Sequence, residues 1–191
     1  MRVTIGWLAV LVVLGGCDGG SPSSPDAGDA DTTEETADVP PVPGFEPDEA
    51  PTGAALYLTA TLDDPAAPVV QVWARDLGTI FGLACHVEFD GARLTAGAPV
   101  VEPAIGPDTA GEAGYLSVVG AGDVGLGAAR RGPDAGEVDV TAPTLVATIP
   151  LTAVTAGTSR LALTSAQVRR ADGSFVPLAV AGGRLTTGGA P

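Results

Sequence analysis

Few side chains in this sequence could carry chemistry. His86 is the only histidine, so a cluster of imidazoles around a metal is excluded by count. Cys85 stands beside it, and a thiol next to an imidazole is what a nucleophilic mechanism needs. The local pattern forbids that use. Phe81, Leu83, Cys85, Val87 and Phe89 alternate with Gly82, Ala84, His86 and Glu88, the period of a strand, and adjacent strand residues project to opposite faces. Cys85 therefore joins the apolar face as an inert buried thiol, and His86 falls on the outer face as a surface imidazole. Gly120-Ala121-Gly122-Asp123-Val124-Gly125 spells G-x-G-x-x-G, which cradles a pyrophosphate when it joins a strand to a helix. Residues 126–131 are too few for that helix before the breaker Gly132-Pro133, so the motif reads as a loop between strands. Asp63 and Asp64, like Asp134, Glu137 and Asp139, lack the spacing of an acid and a base or of a calcium loop and read as solvated charges. No G-x-S-x-G, H-E-x-x-H or C-x-x-C is present. The expectation is a chain with no catalytic residues, no metal site and no cofactor, and hence not an enzyme.

The other cysteine has chemistry of a different kind. Arg2 is followed by an apolar run at residues 5–14 and then by Leu14-Gly15-Gly16-Cys17. A positive start, an apolar run and small residues before a cysteine form the order of a cleaved secretory leader. The stretch resembles that of bacterial lipoproteins. This implies cleavage after Gly16, a diacylglycerol thioether on Cys17 and an acyl chain on its new amine. The apolar run is shorter than the roughly 20 residues a spanning helix needs. The expected location is the cell envelope, anchored in the membrane by lipid, with the outer membrane favoured over the inner. Once Cys17 is lipidated, only Cys85 remains and no internal disulfide can form.

Three segments follow: residues 1–16 as signal peptide, 17–53 as lipidated cysteine and disordered acidic linker, and 54–191 as one folded domain. Between residues 18 and 50 the chain has ten Asp or Glu and no Arg, whereas residues 51–191 have thirteen against eight Arg. Asp, Glu, Ser, Thr, Pro and Gly in the linker bury too little apolar surface to offset the entropy of ordering. A flexible tether of this length spans about 33 Å. Within it Asp26, Asp29 and Asp31 lack calcium-loop spacing. A net charge of −14 argues against nucleic acid as a partner and leaves membrane contact to the lipid.

From Ala54 onward the pattern is strand alternation. Leu56, Leu58, Ala60 and Leu62 oppose Tyr57, Thr59 and Thr61, and Val70, Val72 and Ala74 oppose Gln71, Trp73 and Arg75. Further strands are expected at 116–119, 124–128, 145–151, 161–168 and 183–187, with Asp172-Gly173 as a tight turn and Pro150 marking an edge or a bulge. No sustained helical period occurs, so the fold expected is an all-β sandwich. Tyr57 and Trp73 are the candidate ligand-binding residues, out of phase with the core and suited to stack on sugar rings or to anchor a protein. Covering a sheet edge or packing beneath the tether is the other use open to them.

Three pieces in order resemble the cohesin domain. The first is residues 70–90, an alternating strand and loop followed by Phe81-Gly82-Leu83-Ala84-Cys85-His86-Val87-Glu88-Phe89-Asp90. The second is Leu145-Val146-Ala147-Thr148-Ile149-Pro150-Leu151, then Ala156-Gly157-Thr158-Ser159 and Leu161-Ala162-Leu163. The third runs from Val168 through Asp172-Gly173 to Gly182-Gly183-Arg184-Leu185-Thr186. The resemblance implies a jelly-roll sandwich of about nine strands that works outside the cell. It also implies non-catalytic binding of a dockerin-like protein or a carbohydrate, with a link to polysaccharide processing. The chain departs from scaffold proteins in carrying one such domain, a lipid anchor and no dockerin. A structural or accessory envelope lipoprotein, its sandwich packed in a larger assembly, is the alternative.

Overall fold

The computed structural model of this protein describes residues 42–103, 113–131 and 135–188. The expected signal segment, the cleavage after Gly16, the lipidated Cys17, the Asp26, Asp29 and Asp31 group, and Asp134 all lie outside the described residues. Those residues form strands and no helix. In chain order the strands are β1 (Gly44–Pro47), β2 (Ala55–Thr61), β3 (Val69–Arg75), β4 (Gly78–Ile80), β5 (Gly82–Glu88), β6 (Leu94–Ala96), β7 (Val100–Val101), β8 (Ala113–Val119), β9 (Asp123–Arg130), β10 (Val138–Val140), β11 (Thr144–Ala153), β12 (Gly157–Arg169), β13 (Ala179–Ala181) and β14 (Gly183–Thr187). Fourteen strands exceed the roughly nine that the resemblance implied; nine of them, β1 in the expected linker included, have four or more residues. The other five have two or three residues, too short for a period of two to show in a sequence.

Two sheets make the sandwich. The larger runs β1-β14-β12-β5-β9-β8, antiparallel throughout. The second runs β13-β2-β3-β11, with β6 and β7 sharing the far edge of β11, and its β13–β2 pair is parallel. Alternation sends Leu56, Leu58, Val70 and Val72 from the second sheet and Leu83, Cys85, Val87, Leu126, Leu161 and Leu185 from the larger into one buried cluster. The chain passes between the sheets through Gly182, the one residue between β13 and β14. A Cβ on Gly182 would run into the Leu161 carbonyl oxygen, so the step needs glycine.

Three expectations are corrected, and one strand is placed as expected but turned outward. The folded domain begins before Ala54: residues 44–47 pair with β14, from Gly44 opposite Thr186 to Pro47 opposite Gly183. Their proline-rich, acidic composition reads as linker because nothing local orders them; the sheet edge does. The Phe45 ring lies against Gly183. Asp48 then accepts from the two terminal guanidinium nitrogens of Arg160, at 2.6 and 2.7 Å, and from the Gly182 amide at 3.0 Å. Arg160 stands directly opposite Arg184, so Asp48 also offsets a like-charge cross-strand pair.

Pro150 lies in neither an edge strand nor a bulge. β11 is interior, Pro150 is in register with Val69, and the register shift falls between Leu145 and Ala147. The Pro150 carbonyl accepts from Gly97 at 2.8 Å. Its hydrogen-free nitrogen faces the same side, where β11 passes from pairing with β7 to pairing with β6. Phe81 is half-buried at a bend before β5 and not a core strand residue, because its backbone is spent bridging Arg169 and Arg130. Residues 116–119 do form strand, but Leu116 and Val118 point away from the core.

Candidate interaction surface

The outer face of the larger sheet is built by the alternation that builds the core. Val124, Leu126 and Ala128 of β9 turn inward, which leaves Gly125, Gly127 and Ala129 outside. Next to them β8 presents Leu116, 65% exposed and opposite Gly127, and Val118, 59% exposed and opposite Gly125. An apolar ridge thus borders a strip with almost no side chains, continued on β5 by Ala84. The shelf opens into a shallow concavity of about 500 Å³ edged by Arg131, which lies over Gly114.

Beyond the strip the face becomes polar. The His86 imidazole lies over Gly125 and its Nδ1 is 3.2 Å from Asp123 Oδ2. Thr164 donates to Glu88 Oε1 at 2.6 Å. A bulge between Thr164 and Gln167, with Ser165 at φ 49°, shifts the register of β12 against β5 and places Thr164 opposite His86 and Gln167 opposite Ala84.

Tyr57 and Trp73 stand directly opposite each other on the outer face of the second sheet, away from Leu116 and Val118. Both are half-buried. Trp73 Nε1 donates to Thr59 Oγ1 at 3.1 Å, and Thr59 in turn donates to Gln71 Oε1 at 3.2 Å. The Arg75 guanidinium sits 5.6 Å from the centre of the Tyr57 ring. Tyr57 also lines a cavity of about 220 Å³ with Pro47, Ala50 and Pro51, residues whose composition reads as linker.

The other candidates fall as their spacing implies. Cys85 is buried, and burial pushes its thiol up to about 12; His86 projects to the opposite face. The G-x-G-x-x-G stretch is the β8–β9 hairpin, where the Gly122 carbonyl accepts from Phe89 at 2.9 Å, and strand β9, not a helix, follows. Asp64 closes its own turn by accepting the Ala66 amide at 2.9 Å. Glu137 accepts the Ala171 amide at 2.7 Å, and Thr141 donates to Asp139 at 3.4 Å. Among the described residues no group of three or more His, Cys, Asp or Glu could hold a metal ion.

Sequence reasoning missed Leu116 and Val118 as surface residues. The signal lay in their neighbour: at Val124-Gly125-Leu126-Gly127 the outward positions are glycine, the mark of a strand over which another group passes closely.

No protein-family model matches the chain, and no curated protein matches it; its resemblances are to solved structures. The second type II cohesin module of a cellulosomal adaptor scaffoldin from Acetivibrio cellulolyticus is 10% identical, with a TM-score of 0.58 over 74% of this chain and 100% of that one. The sixth cohesin of scaffoldin B from the same organism, solved in complex with a mutant dockerin, is 12% identical, with a TM-score of 0.57 over 71% and 99%. A cohesin module from a family 33 glycoside hydrolase of Clostridium perfringens is 15% identical, with a TM-score of 0.53 over 72% and 99%. At such identities the likeness is one of fold. The described domain is an all-β, cohesin-like jelly-roll sandwich.

Proposed function

We propose that this chain is a non-catalytic binding module that receives a dockerin-like protein on the outer face of its larger sheet, and that the lipid on Cys17 holds it at the cell envelope, in the outer membrane. The observation that carries the reading is the pair Leu116 and Val118, standing in solvent beside a strip of glycine and alanine. Burying two such side chains contributes about 1.5–3 kcal/mol each, and a floor without side chains lets a partner's backbone come close. The dockerin complex formed by one of the similar structures supports the class of partner.

The test is surface plasmon resonance of the full chain against a panel of dockerin modules. Leu116→Asp should weaken any complex by about tenfold or more, since it places a charge in the centre of a desolvated patch. Binding that survives this change, or a panel that is silent throughout, defeats the reading. The anchor is tested separately, by membrane fractionation of Cys17→Ala, which should leave the membrane.

A second reading is a carbohydrate on the Tyr57–Trp73 pair. It is favoured by the Trp73 ring being held across two strands by its bond to Thr59, with Gln71 beside it. Glycan-array binding lost in Trp73→Phe would support it, and an array without signal would end it.

A further inference from the structure

The larger sheet carries another concavity, on the β12 side of the first, which it adjoins at Ala84 and Ala129. It has a volume of about 360 Å³ and lies between β5, β9, β12 and the turn at residues 170–173. Phe81, Leu83, Ala84 and Ala129 supply an apolar lining, and Gln167 and Arg169 bring polar groups to it. An apolar lining with a few directed polar groups is the make-up of a small-ligand site.

The wall of this cavity is the Asp172-Gly173 turn. Gly173 takes φ +84°, Arg170 N donates to the Ser174 carbonyl at 3.0 Å, and Ser174 N donates to Asp172 Oδ1 at 2.8 Å. The return of the chain sets Phe175 opposite Arg169. The guanidinium then rests 5.5 Å from the centre of the Phe175 ring, which restrains a side chain that would otherwise sweep a wide arc. Among the described residues no carboxylate pairs with Arg169. Its neighbour Arg170 is different, lying in the field of Glu137 and Asp172.

In a chain of net charge −14, a guanidinium is thus held beside an apolar cavity without an acidic partner among the described residues. We propose that this cavity binds an apolar monocarboxylate, whose carboxylate meets the Arg169 fork with the Gln167 amide alongside and whose hydrocarbon lies on Phe81, Ala84 and Ala129. A planar guanidinium and a carboxylate match in geometry, and charge-assisted hydrogen bonds are the strong class. This inference goes beyond the partner reading and does not depend on it.

Isothermal titration of the full chain with octanoate and with octanamide, its neutral counterpart, tests the proposal. Octanoate should bind saturably and octanamide about tenfold more weakly or worse. Arg169→Gln should reduce octanoate to the amide's level, and Ala171→Glu, which sets a carboxylate at the rim of an exposed turn, should weaken octanoate alone. Leu116→Asp should leave octanoate binding as it was, so that loss of the partner face and loss of this site are told apart. Equal binding of acid and amide, no binding of either at millimolar concentration, or unchanged octanoate binding by Arg169→Gln overturns the proposal.

Discussion

The two outer faces of the sandwich use the same alternation to opposite ends. On the second sheet the outward residues complete one another: Trp73 bonds to Thr59, Thr59 to Gln71, and Arg75 covers Tyr57. On the larger sheet the outward residues of β9 are reduced to Gly125, Gly127 and Ala129, and Leu116 and Val118 of β8 stand beside them in water. The lesson is that large aromatic side chains do not by themselves mark a binding face. A face whose aromatic rings are held by their neighbours contributes to stability, even with the buried Arg75 Nε left without a hydrogen bond, whereas one that leaves apolar groups exposed beside bare backbone is arranged for something not yet present.

That contrast can be broken by measurement. The largest effect is expected at Trp73. Trp73→Ala removes a half-buried ring and its hydrogen bond and should lower unfolding free energy by about 2 kcal/mol in urea melts. A loss within experimental error would show that the second face does not hold itself together.

Asp48→Ala should cost about 1 kcal/mol, the order of an exposed ion pair with good geometry, and its pH dependence has a definite sign. The hydrogen bond from Arg160, with further help from the Arg160 charge, the Gly182 amide and the Arg184 charge, holds the Asp48 carboxyl below its ordinary value. A lowered folded pKa stabilises fully above the unfolded value and loses that contribution as pH falls through the folded one. The difference between the unaltered chain and Asp48→Ala should therefore be present at pH 7 and fade as pH drops below about 4. A difference that grows on acidification would contradict the clamp on β1.

The smallest effect on stability is expected at the ridge. Leu116→Asp should change unfolding free energy by less than about 0.5 kcal/mol, as surface substitutions do, although it should weaken partner binding by about tenfold or more. A large loss in the same melts would mean that Leu116 is packed in the fold and is not a docking residue.

Much of this molecule was legible before it was folded. Leu56 to Leu58, Val70 to Ala74, Leu83 to Val87 and Val124 to Ala128 lie where alternation placed them, because a sheet with one buried face must repeat every second residue. Residues 183–187 were placed to the residue. β1 was not legible, since four residues with one aromatic carry no period and are ordered only by the edge of β14. Nor was the outward turn of Leu116 and Val118, because an apolar strand reads alike whether it closes a core or borders a shelf.

The sequence by itself determined an all-β domain, a buried thiol and an outward imidazole on opposite faces of one strand, and strands whose inner faces are aliphatic. All of these follow from local period and from counts of residue types. Only the tertiary structure decided which strands became neighbours. It thereby set Leu116 beside a glycine floor, Trp73 against Thr59, Asp48 against Arg160, and Arg169 against Phe175 at the edge of a cavity. Those pairings join residues far apart in the chain, and a periodicity that says which face a side chain takes says nothing about what will stand beside it.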